Sequence, residues 1–248
     1  MADARKEMAD ARTEITESSK ALVLLSGGID SAVCAFLACR EFRPENVLAL
    51  SLYYGQKHAK ELEAAKDLAG YLGLCEHMIR ELPDIFRGAG SALIDPDQPN
   101  PETTYEELSK KQGISPSYVP FRNANLLSAA TSVAMVKGAG TLYYGAHAED
   151  SGNWAYPDCT PEFNGAMANA ILIGSYMKVR LLTPLQWLNK KEIVALGQKF
   201  GVPFELTWSC YNGREKACGL CPACVSRLRA FEENALKDPL VYAAQGNN

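Results

Sequence analysis

A short apolar run followed by a glycine turn limits the possible folds of this chain more than any other feature. Residues 21–25 read Ala-Leu-Val-Leu-Leu, and residues 26–31 read Ser-Gly-Gly-Ile-Asp-Ser. The run predicts a buried strand, and the paired glycines allow a turn in which successive backbone N–H groups converge on one anion. A helix beginning at this turn adds its unsatisfied N–H groups and the positive end of its dipole. The segment therefore predicts a strand, a turn and a helix start that can hold a pyrophosphate.

The order Ser-Gly-Gly-x-Asp-Ser has two interpretations. Asp30 or Ser31 can be an ordinary helix N-cap beside a tight turn, or the loop can bind phosphate, and one role does not exclude the other. The order resembles the pyrophosphate loop of the ATP pyrophosphatases, which cleave ATP to AMP and pyrophosphate. It lacks the Gly-Lys-Ser/Thr ending of a Walker loop. The resemblance implies an ATP site made of Leu25, Ser26, Gly27, Gly28, Ile29, Asp30, Ser31, Ala32, Val33, Cys34 and Ala35.

From Ala21 onward, apolar β-rich runs alternate with helical patterns. This rhythm predicts an α/β fold with a doubly wound, mainly parallel sheet, and the resemblance implies the adenine nucleotide α-hydrolase type of that fold. Predicted strands are 21–25, 47–52, 76–80, 141–145 and 179–182. Predicted helices are 31–41, 57–72, 103–110, 123–138, 161–175, 190–200 and 222–236. Residues 88–117, rich in Pro, Gly, Asp and Ser, predict a long surface excursion.

The charge balance and the lack of long apolar runs set limits on partners. The 248 residues include 25 lysines and arginines against 29 acidic residues, which gives a net charge of −4. This balance does not indicate a polyanionic partner. There is no apolar run of about 20 residues and no signal-peptide pattern. We therefore expect a cytoplasmic protein with no membrane partner and no direct nucleic-acid partner.

Four of the eight cysteines lie close together near the C-terminus. They follow the spacing C-x7-C-x2-C-x2-C at Cys210, Cys218, Cys221 and Cys224. Four thiolates in a tetrahedral array are typical of a closed, structural zinc site. An iron–sulfur cluster and a redox dithiol are the competing interpretations.

The cysteines at 34, 39 and 75 fall on predicted core faces, so we expect small buried hydrophobic side chains there. Three regions are predicted along the chain. Residues 1–20 form a flexible N-terminal extension, residues 21–208 an ATP pyrophosphatase (PP-loop) domain, and residues 209–248 a zinc-binding segment with a closing helix.

Three further strings complete the pattern. They are Tyr-Gly-Gln-Lys-His at 54–58, Val-Pro-Phe-Arg-Asn at 119–123 and Tyr-Pro-Asp-Cys-Thr-Pro-Glu-Phe at 156–163. With the glycine loop, the string Ser-Cys-Tyr-Asn-Gly at 209–213 and the three later cysteines, the chain closely resembles the 7-cyano-7-deazaguanine synthases of the queuosine pathway. The resemblance spans about residues 21–235, and the combination and order of the strings make it specific.

The resemblance implies an ATP-dependent carbon–nitrogen ligase. The carboxylate of 7-carboxy-7-deazaguanine is adenylated, and ammonia displaces AMP to give the amide. A second adenylation, on the amide oxygen, permits loss of AMP and closure to the nitrile 7-cyano-7-deazaguanine. The resemblance also implies Mg²⁺ with the ATP, structural Zn²⁺ and a homodimer.

Asp30, Ser31 and Arg122 are the candidate catalytic residues. The N–H groups of residues 27–29, with the hydroxyls of Ser26 and Ser31, would hold the pyrophosphate as AMP separates. Asp30 would position Mg²⁺ or the loop itself. Arg122 has planar donors that suit a carboxylate or a phosphate, and it also suits an ordinary salt bridge at a helix start. Residues 50–53 of the second strand would flank the adenine.

Six residues are candidates for the substrate pocket: His58, Asn123, Glu149, Tyr156, Asp158 and Cys159. A carboxylate such as Asp158 or Glu149 can accept hydrogen bonds from guanine-type N–H groups. Each polar residue also has a simpler role. Asn123 suits the N-cap of helix 123–138, Cys159 suits packing or substrate lining because no base partner is identifiable, and His58 suits a helix start without chemistry.

The chain departs from the family pattern at two places. Phe121 stands where glycine is expected, and residues 151–155 make a slightly longer approach to Tyr156. Both changes would reshape the substrate pocket, with a related 7-deazapurine or the amide as possible outcomes.

Two classes of rival interpretation remain at this stage. One is another PP-loop enzyme, either an amide-forming 7-deazapurine synthetase or a tRNA sulfurtransferase, and the acidic net charge disfavours the second of these. The other is a non-catalytic, zinc-dependent nucleic-acid-binding module, which leaves the glycine loop without a role.

Overall fold

The apolar run before the glycine turn is the central strand of a parallel sheet. The computed structural model describes residues 19–57, 59–82, 84–110, 115–147, 149 and 156–243. The strands are β1 (Lys20–Leu24), β2 (Val47–Tyr53), β3 (Glu76–Glu81), β4 (Ala139–Tyr143) and β5 (Arg180–Leu182). Their order is β3-β2-β1-β4-β5, and every neighbouring pair is parallel. The α/β fold with a doubly wound parallel sheet is confirmed.

Helices connect the strands and cover both faces of the sheet. They are α1 (Ile29–Phe42), α2 (Lys60–Leu72), α3 (Tyr105–Lys110), α4 (Arg122–Lys137), α5 (Pro161–Gly174), α6 (Lys190–Phe200) and α7 (Pro222–Glu232). Each corresponds to a helix predicted from the sequence, with ends that differ by up to four residues. Within the described ranges, none of these helices has both the length and the apolar character needed to cross a bilayer.

Successive side chains of β1 enter two different cores. Ala21 and Val23 pack with residues of α1, α2 and α6, whereas Leu22 packs with residues of α4 and α5. Side chains alternate between the two faces of a strand, so a strand covered on both faces must be apolar throughout. The unbroken apolar run is therefore the consequence of a sheet with helices on each side.

The starts of two helices differ from the prediction. Helix α1 begins at Ile29 with Gly28 in the N-cap position, so neither Asp30 nor Ser31 is its N-cap. Helix α4 begins at Arg122, which places Asn123 inside the first turn. Asn123 is not an N-cap because Asp158, from a distant part of the chain, accepts its backbone N–H at 3.0 Å through Oδ2. Helix α4 therefore takes a first-turn hydrogen bond from a distant segment, whereas helix α1 has no side-chain cap among the described residues.

Two further expectations are resolved by the backbone. Phe121 has φ of +54°, in the left-handed region that favours glycine, which agrees with the glycine expected at this position. Cys34 is buried and Cys39 is partly buried, but Cys75 is exposed, so the core prediction is wrong for that residue. Cys75 lies just before the edge strand β3, where its N–H donates to the carbonyls of Pro44 and Val47 while its side chain faces outward.

A buried ion pair holds the C-terminal part of the chain. The Arg227 guanidinium on α7 donates to the Asp238 carboxylate at 2.8 Å from Nε and 2.9 Å from Nη2, and the two side chains are 0% and 3% exposed. The same guanidinium donates to Thr207 Oγ1 at 2.7 Å, and Tyr242 donates to Asp238 Oδ2 at 2.6 Å. One arginine thus joins α7, the segment before the cysteine cluster and the C-terminal tail.

We expect Asp238→Ala to lower the free energy of unfolding by about 3–5 kcal/mol, because it leaves the buried Arg227 charge without its counter-ion. Urea unfolding followed by circular dichroism measures the change. Glu106→Ala is the matched control, since it removes an ion pair with Arg229 in which both side chains are more than half exposed. That control should cost about 1 kcal/mol or less, and equal losses in the two variants would contradict the role given to Arg227.

Candidate active site

A pocket of about 270 Å³ opens beyond the carboxyl ends of β1, β2 and β4. Ligands in open α/β sheets bind at this edge, where the chain leaves neighbouring strands in different directions. The lining includes Ser26, Gly28, Ile29, Asp30 and Ser31 from the glycine loop, Arg122 and Asn123 from α4, Tyr156 and Cys159 from the third string, and Ser209, Tyr211 and Ser226 from the cysteine-rich segment. Segments far apart in sequence therefore meet in one cavity.

Gly27 is held between two other parts of the chain. Its φ is +87°, and a Cβ atom at this position would lie 2.2 Å from the Glu61 carbonyl oxygen and 2.9 Å from the Ala65 nitrogen of α2. Its own carbonyl accepts the Trp208 N–H at 2.8 Å. The loop is thus pressed against the backbone of α2 and tied to the segment that leads into the cysteine cluster. Only glycine fits this approach.

The two serines shape the loop from inside. Ser31 Oγ accepts the Ser26 N–H at 3.1 Å and donates to the Gly28 carbonyl at 3.0 Å. Among the described residues, no side chain caps the N-terminus of α1, so its first N–H groups keep their hydrogen-bonding capacity for a ligand. With the helix dipole behind them, these groups form an anion site.

Asp30 is surrounded by two basic side chains that the sequence did not indicate. Lys190, the first residue of α6, places Nζ 2.7 Å and 2.8 Å from the two carboxylate oxygens of Asp30, and 3.1 Å from Nε2 of His147. Burial acts to raise the pKa of Asp30, but Lys190 and His147 outweigh it, and the pKa lies below its ordinary value. Asp30 is therefore ionised, and the loop carries a compact charged cluster at its helix start.

Arg122 brings a second positive charge to the pocket. Its guanidinium donates to Tyr54 Oη and Asn123 Oδ1, each at 3.2 Å, and its Cζ lies 5.4 Å from the centre of the Tyr54 ring. Burial lowers the pKa of Arg122, but its neighbours, Tyr54 first, raise it above the ordinary value, so the side chain stays charged. Among the described residues, no carboxylate forms an ion pair with Arg122. The salt-bridge interpretation is therefore not supported there.

Glu61 is a pocket residue that sequence reasoning missed. It lies in the first turn of α2 and lines the cavity. Burial raises the pKa of Glu61 to about 7, against the lowering effect of Arg122. Its only sequence signal is its place three residues after the string 54–58, near the start of a predicted helix. Lys190 had no comparable signal, because nothing in the sequence connects residue 190 with residue 30.

The predicted substrate residues divide into two groups. Asn123, Tyr156 and Cys159 line the pocket, and Asn123 Nδ2 lies 3.2 Å from Cys159 Sγ. Asp158 is buried and caps α4, and it is not part of the pocket lining. Glu149 also lies outside the lining, where it accepts the Lys190 N–H at 3.0 Å. His58 and residues 151–155 lie outside the described residues.

The predicted ATP residues divide in the same way. Leu25, Ser26, Gly28, Ile29, Asp30 and Ser31 line the pocket, whereas Ala32, Val33, Cys34 and Ala35 are buried in the core behind it. Of residues 50–53, Leu50 and Leu52 line the pocket. Ser51 instead hydrogen-bonds to the Leu25 carbonyl at 2.5 Å and pairs with His77 Nε2 at 2.8 Å. The strand thus presents two apolar side chains to the cavity.

The four C-terminal cysteines form a group suited to one metal ion. The four Sγ atoms all lie within 4.8 Å of one another. Backbone N–H groups point at them, including those of Asn212 and Cys218 toward Cys210 Sγ at 3.4 Å and 3.3 Å. Hydrogen bonds from the Cys221 and Cys224 thiols lower the pKa of Cys210 far below its ordinary value. Four converging sulfur donors with N–H support fit a tetrahedral, thiolate-bound metal.

The chain as a whole matches a known protein family. A sequence model of the family described as "Queuosine biosynthesis protein QueC" matches residues 20–235. This chain belongs to the QueC family. The match includes both the glycine loop and the four-cysteine group, so the family pattern spans the two parts of the pocket wall.

Individual curated proteins are also similar to this chain over about nine-tenths of its length. The 7-cyano-7-deazaguanine synthase of Koribacter versatilis (strain Ellin345) is 46% identical over 229 residues, 92% of this chain and 94% of that protein. The enzyme of the same name from Acidobacterium capsulatum is 45% identical over 227 residues, 90% of this chain and 96% of that protein. Among solved structures, NMN synthetase from Francisella tularensis is 19% identical with a TM-score of 0.49, over 95% of this chain and 84% of that chain.

The two loop glycines provide a direct test of the phosphate site. We expect Gly27→Ala to destabilise the fold by about 3 kcal/mol or more, because the added methyl meets the backbone of α2 and the residue keeps a positive φ. In Gly28→Ala the nearest atoms are 3.5 Å and 3.7 Å from the new Cβ, so the stability should change by about 1 kcal/mol or less. The methyl would nevertheless occupy the mouth of the anion site and lower ATP affinity at least about 10-fold.

Urea unfolding and isothermal titration with Mg-ATP measure the two effects. If folded Gly28→Ala binds ATP as tightly as the wild-type protein, the loop is not the phosphate site.

Proposed function

We propose that this chain is a 7-cyano-7-deazaguanine synthase, an ATP-dependent carbon–nitrogen ligase. It would convert 7-carboxy-7-deazaguanine and ammonia to 7-cyano-7-deazaguanine in queuosine biosynthesis, through an adenylated carboxylate and then an adenylated amide. Its membership of the QueC family and its relatives of that name, 45–46% identical over about nine-tenths of the chain, support the proposal.

One observation from the structure carries the proposal. The anion site at the start of α1 and the half-buried cation of Arg122 line the same cavity. The first suits the phosphates of ATP, and the second suits the carboxylate that attacks the α-phosphate. A ligase that adenylates a carboxylate must hold both anions at once, because the new bond joins them.

The adenylation step uses the loop in the following way. The carboxylate oxygen attacks the α-phosphorus, and pyrophosphate leaves with the electron pair of the broken bond. N–H groups at residues 27–29 and the start of α1 stabilise the charge that develops on the leaving pyrophosphate. Lys190 lies beside them, where it pairs with the Asp30 carboxylate and holds the first turn of α1 in place. Mg²⁺, which accompanies ATP, supplies further neutralisation of the phosphate charge.

The geometry favours one of the two roles predicted for Asp30. Both of its carboxylate oxygens accept from Lys190, and His147 Nε2 lies 3.7 Å from Oδ2. Asp30 in this arrangement orients Lys190 and the first turn of α1. We therefore assign it to positioning of the loop, with Ser31 as the internal brace.

Ammonia enters the reaction only in its first half. It attacks the adenylated carboxyl carbon, AMP leaves, and the lost proton goes to solvent or a pocket base, which yields the amide. Adenylation of the amide oxygen then allows loss of AMP and of the N–H protons, and the nitrile forms. Both adenylations need the same loop and the same cation, because the oxygen activated each time is attached to the same carbon.

The far end of the pocket suits a flat heteroaromatic substrate. Tyr156 and Tyr105 meet edge to face at 6.2 Å, and Tyr105 pairs with Tyr211 through their hydroxyls at 2.5 Å. Tyr156 Oη also lies 2.6 Å from Ser117 Oγ. These rings come from the excursion after β3, the third string and the cysteine-rich segment, and they are rigid surfaces on which a 7-deazapurine can pack. Leu50 and Leu52 would flank the adenine on the other side.

We assign zinc to the four-cysteine group, with a structural role, because four protein sulfurs leave no position for a reacting ligand. The four-cysteine group supports the pocket, because the segment that enters it contributes Ser209 and Tyr211 to the pocket lining. The Trp208 N–H of the same segment also donates to the Gly27 carbonyl. The homodimer implied by the family resemblance and the cytoplasmic location remain predictions, and the chemistry above depends on neither.

The metal assignment predicts about one zinc per purified chain, measured by elemental analysis. Cys221→Ser should lower both the zinc content and the melting temperature, because it removes one of four donors. Cys75→Ser should change neither, since Cys75 is exposed and lies outside the group. Iron with visible absorption in place of zinc would identify an iron–sulfur cluster and contradict the assignment.

The activity is tested by incubating the purified full chain with 7-carboxy-7-deazaguanine, Mg-ATP and ammonium, with products followed by mass spectrometry. We expect the nitrile, with twice as much AMP as nitrile. Arg122→Lys should raise the KM for the carboxylate substrate about 10- to 100-fold, because an ammonium cannot replace a bidentate guanidinium.

Arg229→Lys, at a side chain 60% exposed on α7, is the matched control and should leave the kinetics unchanged. Amide without nitrile would identify an amide-forming synthetase, and the absence of both nitrile and AMP would disprove the ligase proposal.

A further inference from the structure

The pocket contains a second carboxylate besides that of Asp30. Among the described lining residues, the two carboxylates are those of Asp30 and Glu61. Lys190 donates to both oxygens of Asp30, whereas within the described ranges no hydrogen bond or ion pair engages the Glu61 carboxylate. Removal of an acid from water without such compensation is unfavourable for its charged form. A carboxylate kept in this position in a cleft is therefore a candidate for a direct part in the reaction.

The phosphate loop fixes the backbone that bears this carboxylate. Glu61 lies in the first turn of α2, and its carbonyl oxygen would lie 2.2 Å from a Cβ atom at Gly27. Its neighbour Lys60 is engaged elsewhere, with Nζ 5.3 Å from the centre of the Trp208 ring. The loop and the helix start thus pack as one unit, and both contribute to the wall of the same cavity.

Titratable groups from three other segments act on this carboxylate. They are Arg122 of α4, Tyr54 after β2 and Cys210 of the cysteine-rich segment. Burial has the largest effect on the pKa of Glu61 and raises it, Arg122 lowers it, and Cys210 raises it through space, which brings it to about 7. Burial also raises the pKa of Tyr54, which stays a neutral phenol. Near neutral pH Glu61 therefore exchanges a proton readily, whereas an ordinary glutamate remains ionised.

The amide-forming step of the proposed reaction releases a proton that needs an acceptor. Ammonia adds through its lone pair to the adenylated carboxyl carbon, and its nitrogen then has a positive charge and three N–H bonds. Loss of one proton makes this nitrogen neutral and prevents its expulsion as ammonia. A base positioned in the pocket typically accelerates such a step by about 100- to 10,000-fold.

The other described pocket groups that could accept this proton have partners. His147 Nε2 lies 3.1 Å from Lys190 Nζ and 3.7 Å from Asp30 Oδ2. Cys159 Sγ accepts a hydrogen bond from a neighbouring amide at 3.2 Å. The carboxylate in the first turn of α2 is the acceptor that these contacts leave available.

We propose that the Glu61 carboxylate is the catalytic base of the amide-forming step. One N–H bond of the ammonia adduct breaks and its proton passes to Glu61. The C–O bond to AMP then breaks, and AMP leaves with the electron pair of that bond. Glu61 returns its proton to solvent before the next turnover. This inference rests on the proposed ligase function and names the group that its ammonia step requires.

The opposite charges of Arg122 and Glu61 suit the two kinds of atom that must meet. Arg122 suits the oxygens of the substrate carboxylate, whereas an ionised Glu61 accepts hydrogen bonds from the N–H groups of ammonia. Among the described residues these two side chains do not form an ion pair with each other. Each therefore remains available to its own part of the reacting group.

Glu61→Gln keeps the shape of the side chain and removes the base. We expect the rate of amide formation, measured by rapid quench and mass spectrometry in a single turnover with saturating Mg-ATP, to fall about 100-fold or more. Adenylation needs no nitrogen base, so isotope exchange between pyrophosphate and ATP, measured with 7-carboxy-7-deazaguanine and without ammonium, should stay within about threefold of the wild-type rate. Circular dichroism and the zinc content confirm that the variant is folded.

The pH profile distinguishes a base from a structural role. With the concentration of unprotonated ammonia held constant, the wild-type rate of amide formation should reach half its maximum near pH 7, where half of Glu61 is ionised. The ionised form is the active one, so the rate should fall as the pH decreases through the pKa. Glu61→Gln should lack this dependence.

Glu63→Gln is the matched control, because it makes the same chemical change at an exposed side chain on α2. It should leave both assays at their wild-type values. Equal losses of exchange and of amide formation in Glu61→Gln would overturn the proposal, since the carboxylate would then serve ATP binding or the loop. An unchanged rate of amide formation, or a pH dependence that survives in this variant, would also overturn it. A wild-type protein without pyrophosphate exchange would instead refute the ligase function, on which the base depends.

Discussion

The contact between Gly27 and the backbone of α2 is the constraint on which the site depends. A Cβ atom at this position would lie 2.2 Å from the Glu61 carbonyl oxygen, and the Gly27 carbonyl accepts the Trp208 N–H. The loop is therefore fixed on one side by helix α2 and on the other by the segment that enters the cysteine cluster. A loop held in this way keeps its N–H groups aimed into the pocket before any ligand arrives, which avoids an ordering cost on binding.

Charge in the pocket is arranged around this loop. Lys190 balances the carboxylate of Asp30, whereas Arg122 donates its hydrogen bonds to the Tyr54 hydroxyl and the Asn123 amide oxygen. Asp30 and Lys190 neutralise each other and hold the start of α1. Arg122 keeps its positive charge for an incoming anion. The cysteine-rich segment contributes to the same cavity, so its metal would stabilise a wall of the active site as well as the C-terminal tail.

The order of strands and helices was predictable because its signals are local. The run 21–25 is apolar on both faces, and glycine turns and polar breaks mark its neighbours. Local signals failed where a distant residue intervened. Asn123 had the chemistry of an N-cap, but Asp158 supplies that hydrogen bond from 35 residues away. Cys75 had an apolar context, but it lies at the edge of the sheet, where one side of the chain faces water.

By itself, the sequence determined the α/β class, the position of the phosphate loop, the four-cysteine group and the family, because each depends on residues close together in the chain or on several short strings in a specific order. Only the tertiary structure decided which side chains share the pocket. It joined Lys190 to Asp30, placed Glu61 against the loop and moved Asp158 out of the lining. The physical reason is that contacts between distant residues depend on how helices pack on the sheet, and short-range patterns do not encode that geometry.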